Sequence, residues 1–121
     1  MSRLIDDTSL ATLLGSLGHD QAAVARFVRD FVSLWDTRVQ RLTDALALPD
    51  PEEIHVVLLS IRSSSRMIGA HMLEATAGLM HSALARQDID GTRQHLGRLI
   101  HVGQETSQEL SERFGIGSTL V

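Results

Sequence analysis

The chain has 121 residues, 43% of them hydrophobic, with no cysteine and a formal net charge of −4. That length suits one domain that buries a core without staples, and the absence of cysteine excludes disulfide and thiolate chemistry and favours a reducing, cytoplasmic setting. An acidic balance argues against a general nucleic-acid binder; no apolar run is long enough to cross a bilayer, and the opening "MSRLIDDTSL" carries no signal-peptide pattern.

Prolines stand only at Pro49 and Pro51, and alternating β-branched runs are missing, so helical spacing is the signal to follow. Leu10, Leu13, Leu14 and Leu17 predict a short amphipathic first helix, and "LGHDQ" supplies a glycine stop with Asp20 as the next N-cap. Val24, Phe27, Val28, Phe31, Leu34, Trp35, Leu42 and Leu46 then recur at intervals of three and four, predicting one long helix with a single apolar stripe.

"ALPDPEE" breaks the chain and restarts it: Asp50 caps, Pro51 fits the first helical position, and Glu52 and Glu53 suit the positive end of the helix dipole. The third helix turns Ile54, Val57, Leu58, Ile61, Ser64, Ser65 and Ile68 inward before Gly69 interrupts it. A fourth carries Leu73, Thr76, Leu79, Met80, Ala83 and Leu84, and "RQDIDG" makes the following turn. The last helix is expected from about Asp90 to Phe114, with Leu96, Leu99, Ile100, Gly103, Thr106 and Leu110 inward. The expectation is an all-α antiparallel up-and-down four-helix bundle with a short additional N-terminal helix, one domain over 1–114, and a flexible tail over 115–121.

Six histidines invite a metal hypothesis. None of His19, His55, His71, His81, His95 and His101 lies three or four residues from another, the spacing that stacks two ligands on one helical face. Glu52 and His55 form one Glu-x-x-His, but bundle di-metal sites use two such pairs. No metal site and no cofactor is expected. Ser63, Ser64 and Ser65 lie inside a helix whose N–H groups are spent on its own ladder, which leaves no oxyanion site for a serine nucleophile. No phosphate loop or nucleophile elbow occurs, so an enzyme with its own turnover is not expected. The plain structural role for the serines is close helix packing, with hydroxyls bonding back one turn.

The stretch "IRSSSRMIGAHML" resembles the central motif of histidine-containing phosphotransfer (HPt) domains of bacterial phosphorelays, which runs His-x-Leu-Lys-(Gly or Ser)-Ser-Ser, three variable residues, then Gly-Ala. Ile61 stands at its leucine, Arg62 at its lysine, Ser63 at its glycine or serine, Ser64 and Ser65 at its paired serines, and Gly69-Ala70 at its Gly-Ala. "SLATLLGSLGHDQAAVARFVRDFVSLWDTRVQRLTDAL" and "ALARQDIDGTRQHLGRL" are similar to the family's first helices and its turn into the last helix, so the likeness runs from about Leu4 to Phe114. At the family's phosphoacceptor position, three residues before Arg62, stands Leu59. A leucine accepts no phosphate, so the resemblance implies at most the docking of a response-regulator receiver domain.

Advancing about 100° per residue puts Leu59 roughly 155° from the inward stripe, facing solvent, with Ser63 on the same line. Val56, Leu59 and Met67, rimmed by His55, Arg62, Ser63 and Arg66, form the expected partner-binding face, with the arginines offering charge to an acidic receiver pocket. His55, one turn before Leu59, is the alternative phosphoacceptor. A third reading makes the Leu59 face a self-association surface of a non-signalling bundle. The expected state is a monomer or weak homodimer, binding neither nucleic acid nor membrane.

Overall fold

The computed structural model describes residues 4–116. The chain is all-helical there, in the order α1 (Asp7–Ser16), α2 (Gln21–Ala47), α3 (Pro51–Ile68), α4 (His71–Ala85), α5 (Ile89–Gln94) and α6 (Leu96–Phe114). The caps follow from local chemistry. Asp6 accepts from the Thr8 N–H, Asp20 from Ala22 and Ala23, Asp50 from Glu53 and Asp88 from Gly91, each satisfying amide groups that a helix start leaves unpaired. Pro51 opens α3, and Gly69 closes it in the left-handed region at φ 77°.

Helix α2 packs on α3 and α6, and α4 packs on the same two helices, so the four long helices form a closed cycle of neighbours. Helix α1 lies against α2 and α3. Inside the cycle, Val28, Leu42, Ile54, Leu58, Ile61, Leu73, Met80, Leu99 and Leu110 are wholly buried. Burying such side chains contributes about 1.5–3 kcal/mol each, before the entropy of ordering them is set against it. Phe31 and Trp35 stack with ring centroids 6.1 Å apart, and the backbone of α6 reaches the indole through Gly103. A Cβ at residue 103 would land inside the Trp35 ring, so glycine there sets the α2–α6 approach.

Three local expectations are corrected. Leu34 and Leu79 are 44% and 53% exposed, because they sit about 80° and 100° around their helices from the core direction, at the margin of each apolar stripe. The last helical stretch is not continuous: it breaks at His95, which separates α5 from α6. Within α5, Arg93 donates from Nε and Nη2 to the Leu46 carbonyl at 3.0 and 2.6 Å, tying that short helix to the end of α2. Thr92, fully buried, turns its hydroxyl back to the Asp88 carbonyl at 2.8 Å.

At the C-terminal end, Gly115 takes a left-handed conformation and the Ile116 N–H returns to the Ser111 carbonyl at 2.8 Å, closing α6. The remainder of the expected tail, 117–121, lies outside the described residues.

Candidate functional site

Helix α3 supplies the site because its two long faces have opposite duties. Ile54, Val57, Leu58, Ile61, Ser65 and Ile68 are buried, which forces the residues between them outward. Leu59 is 49% exposed, with Val56 at 46% and Met67 at 43%; His55, Ser63 and Arg66 are exposed and Arg62 is half-buried. Isolated exposed apolar side chains are ordinary, but three at helical spacing make a stripe.

Relief around the stripe comes from the neighbouring helices. On the α4 side a groove of about 440 Å³ is lined by His55, Leu59, Arg62, His81, Ser82 and Ala85. A second hollow of about 320 Å³ lies along Leu59, Arg62, Ser63, Arg66, Met67 and Glu74. A third, of about 320 Å³, lies between Met67 and Arg66 on one side and Thr8, Ser9 and Thr12 of α1 on the other. Leu59 borders the first two hollows and Met67 borders the last two, so the surface is corrugated, with apolar ridges.

The two arginines are less free than their spacing suggests. Arg66 Nε donates to Glu74 Oε2 at 2.9 Å, which spends part of its charge within the fold. Arg62 turns towards α4 and donates from Nη1 to His81 Nδ1 at 3.0 Å, while its Nε is buried and makes no hydrogen bond among the described residues. A guanidinium only donates, so His81 Nδ1 must carry a lone pair and Nε2 the proton. That Nε2–H points at the His55 carbonyl oxygen, 3.3 Å away. His81 is therefore held neutral in one tautomer. Burial pushes its pKa below the ordinary imidazole value, the hydrogen bond to the His55 carbonyl partly opposes this, and the charges of Arg62 and His55 push it further down.

His81 is the residue that sequence spacing missed. It lies 26 positions after His55, yet the two rings sit with centroids 4.9 Å apart. Gly78, one turn earlier on α4, lines the same groove beside the Arg62 guanidinium. No periodicity within either helix carries that signal.

The other histidines go elsewhere. His71 begins α4 and donates from Nε2 to Asp6 Oδ2 at 3.1 Å, tying it to the cap of α1; His101 faces Glu105 on α6. His95 forms the α5–α6 joint, and His19 occupies the turn before α2. Among the described residues no group of three or more His, Asp or Glu side chains could hold a metal ion, and no helix is long and apolar enough to cross a membrane. The serines divide by position: Ser63 is exposed, Ser64 half-buried and Ser65 wholly buried. Ser65 Oγ makes no hydrogen bond among the described residues, so the expected return bond one turn back is not formed there and the side chain serves by being small.

Comparison of the chain with family models, with curated proteins and with solved structures finds no match.

Proposed function

We propose that this chain is an HPt-like signalling protein of a bacterial two-component phosphorelay that docks a response-regulator receiver domain, or a related regulator, without accepting phosphate. The observation that carries this reading is Leu59, a hydrocarbon exposed on the outward line of α3 where the resembled motif has its histidine. The helix order and the closed α2–α3–α4–α6 cycle support an up-and-down four-helix bundle, with α1 as the additional N-terminal helix. Val56, Leu59 and Met67 supply the apolar centre of the contact, Ser63 keeps the surface low between them, and His55 and Arg66 form its polar rim, with Arg62 held at its edge by His81. The protein acts in the cytoplasm by binding and has no turnover of its own.

A second reading, a phosphocarrier using His55, draws on the exposure of that ring one turn from Leu59. Phosphoryl transfer requires in-line approach, so an acceptor displaced by a turn needs a displaced docking pose. Calorimetric titration against a panel of receiver domains tests the favoured reading. At least one receiver binds, and Leu59→Asp weakens that complex at least tenfold while leaving the helical fold unchanged; unaltered affinity overturns the assigned face. Exposing the protein to a phosphorylated receiver tests the carrier, which requires acid-labile, base-stable label that disappears in His55→Ala. The self-association reading requires a mass that rises with concentration and falls back in Leu59→Asp.

A further inference from the structure

The groove between α3 and α4 differs in character from the rest of this acidic protein. Its lining contains Arg62, His55, His81 and the Ser82 hydroxyl, with apolar Leu59 and Ala85, and no carboxylate. Arg62 enters it with one nitrogen held by His81 and another, Nε, buried without a hydrogen-bond partner among the described residues. We propose that this groove receives the carboxylate of an acidic side chain on a protein partner, and that Arg62 becomes available to it when His81 takes up a proton and releases the guanidinium.

The mechanism follows from donor counting. Neutral His81 accepts from Arg62 at Nδ1; protonated His81 has only donors, so the contact is lost and two cations face one another. A carboxylate placed between them accepts from both and removes the repulsion. The charged or titratable groups acting on His81 are His55 and Arg62, both from α3; α5 and α6, which also pack on α4, contribute none among the described residues. Glu74, two turns earlier on α4, is engaged by Arg66. The apolar walls favour an Asp or Glu side chain, whose methylenes pack there, over a bare tetrahedral anion that gains nothing from Leu59 and Ala85. This inference deepens the docking reading and rests on it for the identity of the partner.

Because His81 must gain a proton for the carboxylate to bind, affinity rises as pH falls through the His81 titration, by at most about tenfold for each pH unit. Acetate is the probe, with sulfate as the tetrahedral comparison, followed by the imidazole resonances of the full-length protein between pH 5.5 and 7.5. The expected result is saturable movement of the His81 signals with acetate, an upward move of its titration midpoint, and loss of both in Arg62→Gln. His81→Asn, which keeps an acceptor near the Nδ1 position and does not titrate, is expected to abolish the pH dependence of any remaining acetate binding. Binding to sulfate alone, no saturable binding, or an acetate response unchanged in Arg62→Gln overturns the proposal. Val56→Asp separates this from the docking reading, since Val56 is exposed on the same face of α3 and lines neither hollow that Arg62 borders. It weakens a receiver complex if the face is used and leaves the acetate titration as it was.

Discussion

The Asp6 backbone N–H donates to the Gly69 carbonyl oxygen at 2.9 Å, so the start of α1 is fastened onto the end of α3, directly beyond the candidate docking stripe. Gly69 permits this twice over: its φ of 77° lies where side chains are strained, and a Cβ there would stand 2.7 Å from the Asp6 carbonyl oxygen. Gly69→Ala is expected to cost about 1–3 kcal/mol of stability and to raise hydrogen exchange in α1 before the rest of the protein. Uniform exchange across all helices would contradict the local role.

Asp6 reinforces the same junction. Hydrogen bonds from His71, then Ser9 and Thr8, hold its carboxyl below the usual aspartate range. Its folded pKa is depressed, so this contribution is present above the unfolded value of 3.8 and is lost as pH falls through the folded value. Asp6→Asn is expected to flatten acid unfolding below pH 3.8, with α1 the first element affected; an unchanged acid limb would show that other carboxylates govern it.

At the opposite side of the core, Gly103→Ala forces a methyl group into the Trp35 indole. Overpacking of this kind costs about 1–3 kcal/mol, and the backbone cannot yield without parting α6 from α2. Trp35 is the one tryptophan, so its emission reports the change directly. A red shift with a lowered denaturation midpoint is expected; wild-type emission and midpoint would mean that the helices separate at no cost.

His81 gives a second pH dependence of known sign. Burial depresses its folded pKa below the unfolded value of 6.5, so the unfolded chain binds the proton more readily. Stability is fully present above pH 6.5 and is lost as pH falls through the depressed folded value. His81→Asn is expected to remove this part of the decline in thermal midpoint; an identical decline in the variant would assign it to other groups.

Much of this architecture is legible locally. Asp20, Asp50, Pro51 and Gly69 mark their helix ends in the sequence because capping depends on residues within one turn, and Leu59 is turned outward by the six buried positions around it on α3. Non-local relations are not legible in this way. The exposure of Leu34 and Leu79 depends on how neighbouring helices pack, and the hydrogen bonds by which Arg93 ties α5 to the Leu46 carbonyl span 47 positions of the chain. The same holds at the site: α3 spacing finds Leu59, Val56 and Met67, whereas the pairing of Arg62 with His81 arises only when α4 folds back over α3. That pairing changes the expected part of Arg62 from an open rim charge to one held by an imidazole.

The most direct test of the account is to restore the missing acceptor. Leu59→His, incubated with a phosphorylated receiver that the wild-type protein binds, is predicted to acquire acid-labile, base-stable phosphate, as the proposed docking face around residue 59 requires. Failure of this variant to take up label from any receiver that binds it, with its fold intact, would contradict the claim that the α3 face is an HPt-type docking surface.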